Sequence, residues 1–337
     1  MHSGDEDLLL EAYAASGSTA LYLGELGDAR AWLEKGLALY SPQRHHAHAI
    51  IYGQDPIILL GFAARAHALL GYPDLARRRN LDLCAMAGDL SSNPNSFAAF
   101  QTLLTTFHLV LRDGTGARVH GEAAIACALE QDLPLWLSLA RMARGAALVE
   151  EALIRGDRRQ ITEGIVSGLA GMGAYRATGA GLDIVTCLTS FAAGYGYLGQ
   201  PTEGRRLLNE ALRIIADTGE CCYEAEVHRL IGELTLGELN AALPEPAEAT
   251  AEAAFRMSLD IARQQQAKLL ELRAATGLAS LWRGQARCVE AHDLLAPLYA
   301  WFTEGLDTLD LRQAQALCDE LAKDIEAGGS KPKPAKF

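Results

Sequence analysis

The sequence predicts an all-α solenoid, a stack of helical hairpins, and three observations carry that expectation. Half of the 337 residues are hydrophobic and only 11 are proline. Alanine and leucine dominate, with glutamate and arginine well represented, which is a helix-forming vocabulary. Glycine-marked turns recur at an even spacing, and an amphipathic stripe follows them.

The turns fall at Leu26-Gly27-Asp28, Leu70-Gly71-Tyr72-Pro73, Asp113-Gly114, Arg155-Gly156-Asp157, Leu198-Gly199-Gln200-Pro201 and Arg283-Gly284-Gln285. Glycine suits them because it enters the left-handed conformation that ends a helix. The first five turn glycines stand 44, 43, 42 and 43 residues apart, and the last interval, 85, spans two periods. Asn240 marks the turn between them. A period near 43 indicates repeated hairpins rather than an unrelated succession of helices.

Taken in order, the first repeat turns at Gly27 and continues in a helix carrying Ala29, Leu33, Leu37 and Leu39-Tyr40. The second brings Ala63-Ala64, small residues that let helices approach closely. The fifth shows the logic in full: a first helix from about Gly181 to Leu198 breaks at Gly199-Gln200. Pro201 then takes the first helical turn, where its missing N–H is harmless. Leu207, Leu208, Ala211, Leu212, Ile214 and Ile215 form an apolar stripe opposite Arg205, Arg206, Glu210 and Arg213. Asp217-Thr218-Gly219 ends that helix. About seven hairpins result, with a capping helix near Leu309–Ile325. They form one unit over residues 1–327, whose stability is shared between stacked neighbours. Residues 328–337 read as a disordered basic tail.

The net charge of −12 argues against nucleic acid as a partner. Arg77-Arg78-Arg79 reads as a solvated face. The seven cysteines contain no Cys-x-x-Cys pair and point to a reducing compartment, hence a cytoplasmic location. Cys221-Cys222 reads as ordinary packing rather than a redox pair. There is no signal-peptide pattern and no apolar stretch long enough for a membrane span.

Several strings resemble a known family: His48-Ala-Ile-Ile-Tyr-Gly-Gln-Asp-Pro56, Leu70-Gly-Tyr-Pro-Asp74, Pro134-Leu-Trp-Leu137, Tyr175-Arg-Ala-Thr-Gly179, Tyr223-Glu-Ala-Glu-Val-His-Arg-Leu230, Ala262-Arg-Gln-Gln-Gln-Ala-Lys268, Leu295-Ala-Pro-Leu-Tyr299 and Trp301-Phe-Thr-Glu-Gly-Leu-Asp307. Over residues 8 to 325 the chain resembles the C-terminal tetratricopeptide-like repeat region of bacterial adenylate/guanylate cyclase–ATPase fusions and related signal-transducing ATPase regulators. The resemblance implies a right-handed superhelix and a sensor or docking role in bacterial signalling. It carries no cyclase or ATPase activity across, because no Gly-x-x-x-x-Gly-Lys-Ser/Thr loop is present. A fragment of a larger protein and a stand-alone relative both fit.

Other constellations have ordinary explanations. Gly194-Tyr-Gly-Tyr-Leu-Gly199 matches the dinucleotide pattern, but it closes an apolar helix instead of following a strand, so no cofactor is expected. His45-His46-x-His48 has ligand-type residues without a fourth partner, and no metal is expected. Arg229 and Glu233 read as an i, i+4 ion pair. Trp32, Trp136, Trp282 and Trp301 read as core residues, with Trp136 the one to watch. No nucleophile–base set is recognisable, so the chain reads as a binding protein and not an enzyme.

In stacked hairpins of this kind the first helices line the concave face. Polar and aromatic residues there, Tyr52, Gln54, Asp55, Trp136, Arg141, Arg144, Asp183, Tyr195, Glu224 and Arg229, are the expected groove. Asp55 also suits a helix cap. The expected function is a protein-interaction scaffold that takes a peptide or partner protein in the groove. The alternative is a domain that senses a small-molecule effector.

Overall fold

The computed structural model describes residues 3–45, 47–48, 51, 55–87, 90, 93–237 and 245–329. Every regular element among them is a helix. In chain order they are α1 (Ser3–Tyr22), α2 (Leu26–Leu39), the single turn α3 (Pro42–His45), α4 (Ile57–Leu60), α5 (Phe62–Leu69), α6 (Pro73–Ala87), α7 (Pro94–Val110), α8 (Gly114–Glu130), α9 (Pro134–Arg155), α10 (Arg158–Ala177), α11 (Ile184–Tyr197), α12 (Pro201–Thr218), α13 (Glu224–Gly237), α14 (Glu245–Gln264), α15 (Lys268–Gly284), α16 (Cys288–Trp301) and α17 (Leu309–Gly329).

Helices pack on their chain neighbours as seven hairpins plus a final helix, an arrangement consistent with an α-solenoid. From α7 onward each first helix also touches the next one, in the series α7, α9, α11, α13, α15, α17. First helices therefore make an inner layer and second helices an outer one. The fifth hairpin follows its sequence closely: Pro201 opens α12, Leu207, Leu208, Ala211 and Ile215 are buried, and Gly219 caps it in the left-handed region.

The turn glycines are partly displaced from expectation. Gly71, Gly156 and Gly199 hold φ of 94°, 70° and 76°. Elsewhere the left-handed residue is Gly24 instead of Gly27, Arg112 instead of Gly114, and Ala286 instead of Gly284. In those turns the named glycine is helical, and a neighbour two or three residues away makes the reversal. Asn240 and residues 330–337 lie outside the described residues.

Small residues allow close crossings. A Cβ on Gly145 of α9 would stand 2.4 Å from the Gly168 Cα of α10, well inside contact distance. Trp282 is buried, but the expectation of core packing fails for Trp32 and Trp301, which are 37 % and 39 % exposed. Trp32 stacks on Tyr13 instead.

Hairpins remote in sequence also meet. The Tyr22 carbonyl accepts from the backbone N–H groups of Cys221 (2.9 Å) and Cys222 (3.2 Å). Glu304 accepts from the N–H groups of Asp74 and Leu75, while Asp74 accepts from Gly305. Arg273 donates to the Val110 carbonyl at 2.6 Å, and α5 touches α15. The first three hairpins thus close against the last three along a seam. The free, open trough expected on the inner layer is replaced by separate cavities with buried charges between them.

Candidate functional site

Among the described residues Arg65 is the largest fully buried side chain, on a helix whose other residues are alanine, leucine, phenylalanine and one histidine. A guanidinium cannot sit there without compensation. It donates to Asp183 Oδ1 at 2.5 Å and to Thr186 Oγ1 at 3.1 Å, and lies 5.5 Å from the Tyr22 ring. The Tyr22 hydroxyl donates to the other Asp183 oxygen at 2.9 Å. Asp183 itself adopts φ of 64° just before α11, and its N–H donates to Glu220 Oε1 at 3.0 Å. Helices α1, α5 and α11 and the turn after α12 are joined through this cluster.

An apolar cavity of about 520 Å³ opens above it, touched by the first five hairpins. Tyr22, Phe62, Leu103, Trp136, Leu139 and Tyr175 give it its walls, and Asp183 and Glu220 stand at its polar end. Glu220 is 4 % exposed. Burial, reinforced by the neighbouring Asp183 carboxylate, pushes its carboxyl up to about 8, so it holds a proton at neutral pH. The Tyr22 and Tyr175 phenols are pushed up as well, chiefly by burial.

A second, more polar cavity of about 810 Å³ lies where α11, α13, α15 and α17 converge. Arg229 grips Glu226 with two bonds of 2.9 and 2.7 Å and also reaches Glu233. Arg273 pairs with Asp310 at 2.7 Å, and Arg112 approaches the same carboxylate at 3.2 Å. Burial alone would raise the Glu226 carboxyl; the two guanidiniums of Arg229 and Arg273 override it and hold it near about 2. This network is charge-matched within itself.

The expected groove residues separate into distinct settings. Trp136 and Asp183 line the apolar cavity and Arg229 lines the polar one. Asp55 accepts from the Tyr40 hydroxyl and from the Ile57 N–H, so it ties two hairpins and caps a helix start, as its sequence position allowed. Arg141 is exposed beside Gly171 of α10, and Arg144 pairs with Glu122 of α8. Neither reaches a cavity, because both project toward second helices. Tyr195 packs on the hydrophobic core, and Glu224 is half-buried away from both cavities. Tyr52 and Gln54 lie outside the described residues. Sequence reasoning missed Arg65, Tyr22, Phe62, Tyr175 and Glu220. An arginine within an alanine-rich helix was the one readable signal among them.

The remaining motifs settle locally. Arg77 pairs with Asp74 and Asp307, Arg78 with Glu304 and Arg79 with Glu34, so the run, still partly solvated as expected, also ties α6 to its neighbours. Burial raises both thiols of Cys221-Cys222, the second to about 12, which leaves them unreactive. Gly194–Tyr197 of the dinucleotide-like string is the last turn of α11, with no strand before it. His46 lies outside the described residues, but His45, His48 and Asp7 do come together, with ligand atoms within 4.8 Å. The Ser41 N–H donates to His45 Nδ1 at 2.8 Å, which leaves the proton on Nε2, facing Asp7 at 3.2 Å. That tautomer offers the carboxylate a hydrogen bond and a cation no lone pair.

No helix among the described residues is long and apolar enough to cross a membrane. No protein-family model matches the sequence, and no curated protein matches it.

Proposed function

We propose that this chain is a non-catalytic regulatory module that binds a small-molecule effector inside one closed turn of its helical coil. The carrying observation is the 520 Å³ apolar cavity, whose wall is shared by five successive hairpins and whose floor joins the first, second and fifth through Asp183. Its size and its apolar wall with few convergent polar groups are those of small-molecule sites. Occupancy would add contacts across the seam, so the ligand favours the closed coil by its differential affinity for it. The resemblance to repeat regions of cyclase–ATPase fusions supports regulation as the use of that closure.

Thermal-shift screening with a metabolite library tests this reading. A binder at saturating concentration raises Tm by a few degrees. Leu103→Trp, which fills the cavity from α7, abolishes the shift while leaving the far-ultraviolet circular dichroism unchanged. A shift that persists in Leu103→Trp places the ligand elsewhere and overturns the proposal.

The polar cavity favours a second reading, capture of a partner protein's peptide end. Glu233 and Glu320 stand about half exposed at its rim, and Arg283 lines it too. Charge reversal at Glu233 and Glu320 would then reduce capture of that partner, whereas Leu103→Trp would leave it unchanged.

A further inference from the structure

Two buried carboxyls, Asp183 and Glu220, meet at the polar end of the apolar cavity, and one guanidinium, Arg65, serves them. Arg65 bonds Asp183; no bond joins it to Glu220 among the described contacts. The Glu220 carboxyl accepts from the Asp183 N–H, and its ionised form has no cation bonded to it among the described contacts.

The rest of the wall points the same way. Ser18, Thr102 and Thr218 give their hydroxyl protons to carbonyls of their own helices. Tyr22 gives its proton to Asp183, and the Trp136 indole gives its proton to Asn95. These donors are committed within the protein, and the Glu220 carboxyl lines the cavity beside Asp183 as a buried acidic group. Tyr22, Phe62, Trp136 and Tyr175 line the space with aromatic side chains, whose ring faces can stabilise an organic cation.

We propose that the effector is an organic amine, its ammonium group seated at Glu220 and its apolar body lying against Phe62, Trp136 and Leu139. This assignment rests on the cavity being the effector site and adds the chemical class of the ligand.

The proton balance is explicit. Glu220 is protonated in the empty cavity at neutral pH. Binding an ammonium ion converts the carboxylic acid to a carboxylate, and the acid's proton leaves to solvent. Asp183, Arg65, Tyr22, Tyr175, Cys187 and Cys222 are the ionisable groups that influence or are influenced by Glu220. The tyrosines and cysteines are raised, so they stay neutral while Glu220 titrates. Affinity for the amine therefore increases with pH up to about 8 and holds above it until the ammonium group itself loses its proton, at about pH 10.

Isothermal titration of the full chain with phenethylamine and tryptamine, against matched phenylpropionate, indolepropionate and the corresponding alcohols, tests the assignment. The amines are expected to bind and to release a proton, read from the dependence of the heat on buffer ionisation enthalpy. Glu220→Gln, which keeps an acceptor for the Asp183 N–H, should weaken them at least about tenfold and abolish the proton release. Trp136→Ala should weaken amines and alcohols alike. Absence of amine binding at millimolar concentration, or equal binding by Glu220→Gln, overturns the assignment. Alcohols or acids that bind as tightly as the amines also overturn it, while leaving the cavity as the effector site.

Discussion

Glu220 and Glu226 show how the same side chain is driven in opposite directions by its surroundings. Burial next to Asp183 raises the first to about 8, and two guanidiniums lower the second to about 2. Between the ordinary value of 4.5 and about 8, folded Glu220 keeps a proton that the unfolded chain has released. Its contribution to stability therefore declines as pH rises through that window and is constant beyond it. Melting wild type and Glu220→Gln in parallel from pH 5 to pH 8 checks this: the variant should gain on wild type at each step upward. A constant difference across the range would show that Glu220 is ionised in the folded chain. Such residues were only half legible. Arg65 stands out within Phe62–Leu69 because a charge among alanines has to be paired, but nothing local says that its partner is Asp183, 118 positions away.

Helices and turns were far easier to read, since each is specified by neighbours in the chain. Pro201, Gly219 and the stripe from Leu207 to Ile215 locate α12 to within a residue or two. Gly27, Gly114 and Gly284 mislead by two or three positions, because a reversal needs one left-handed residue and arginine or alanine can supply it at modest strain. Close packing is the other local determinant. Gly145 and Gly168 allow α9 and α10 to touch through their backbones. Gly145→Val should destabilise the chain by at least about 1–3 kcal/mol, through overpacking against a surface that has no side chain to move aside. Urea titration followed by circular dichroism measures the loss, and a neutral result would mean that the two helices can separate without penalty.

Closure of the coil is a property of the whole molecule, and it was illegible for a physical reason. Each hairpin adds a small rotation to the stack, and only the accumulated rotation decides whether the first hairpins reach the last. The open groove expected from the repeat alone thus becomes two cavities and two buried ion networks, and polar residues placed on first helices serve the closure. Arg273 is the most connected of them, bonding Asp310 and the Val110 carbonyl while approaching Glu226. Arg273→Met leaves Asp310 and Glu226 short of a counter-charge in a buried setting and should cost about 3–5 kcal/mol, measured by chemical unfolding. Restoration of most of that loss by adding Asp310→Asn would confirm the pairing.

The seam has a kinetic corollary. An open array of repeats can fray from either end, one unit at a time, because each unit leans only on its neighbours. Here the backbone of Tyr22 is held by Cys221 and Cys222, so the ends of the array are guarded by contacts spanning some 200 positions. Loops of that length form late and reluctantly. The protein should accordingly assemble slowly and come apart in a single step, its amide protons exchanging together rather than in a gradient from the termini.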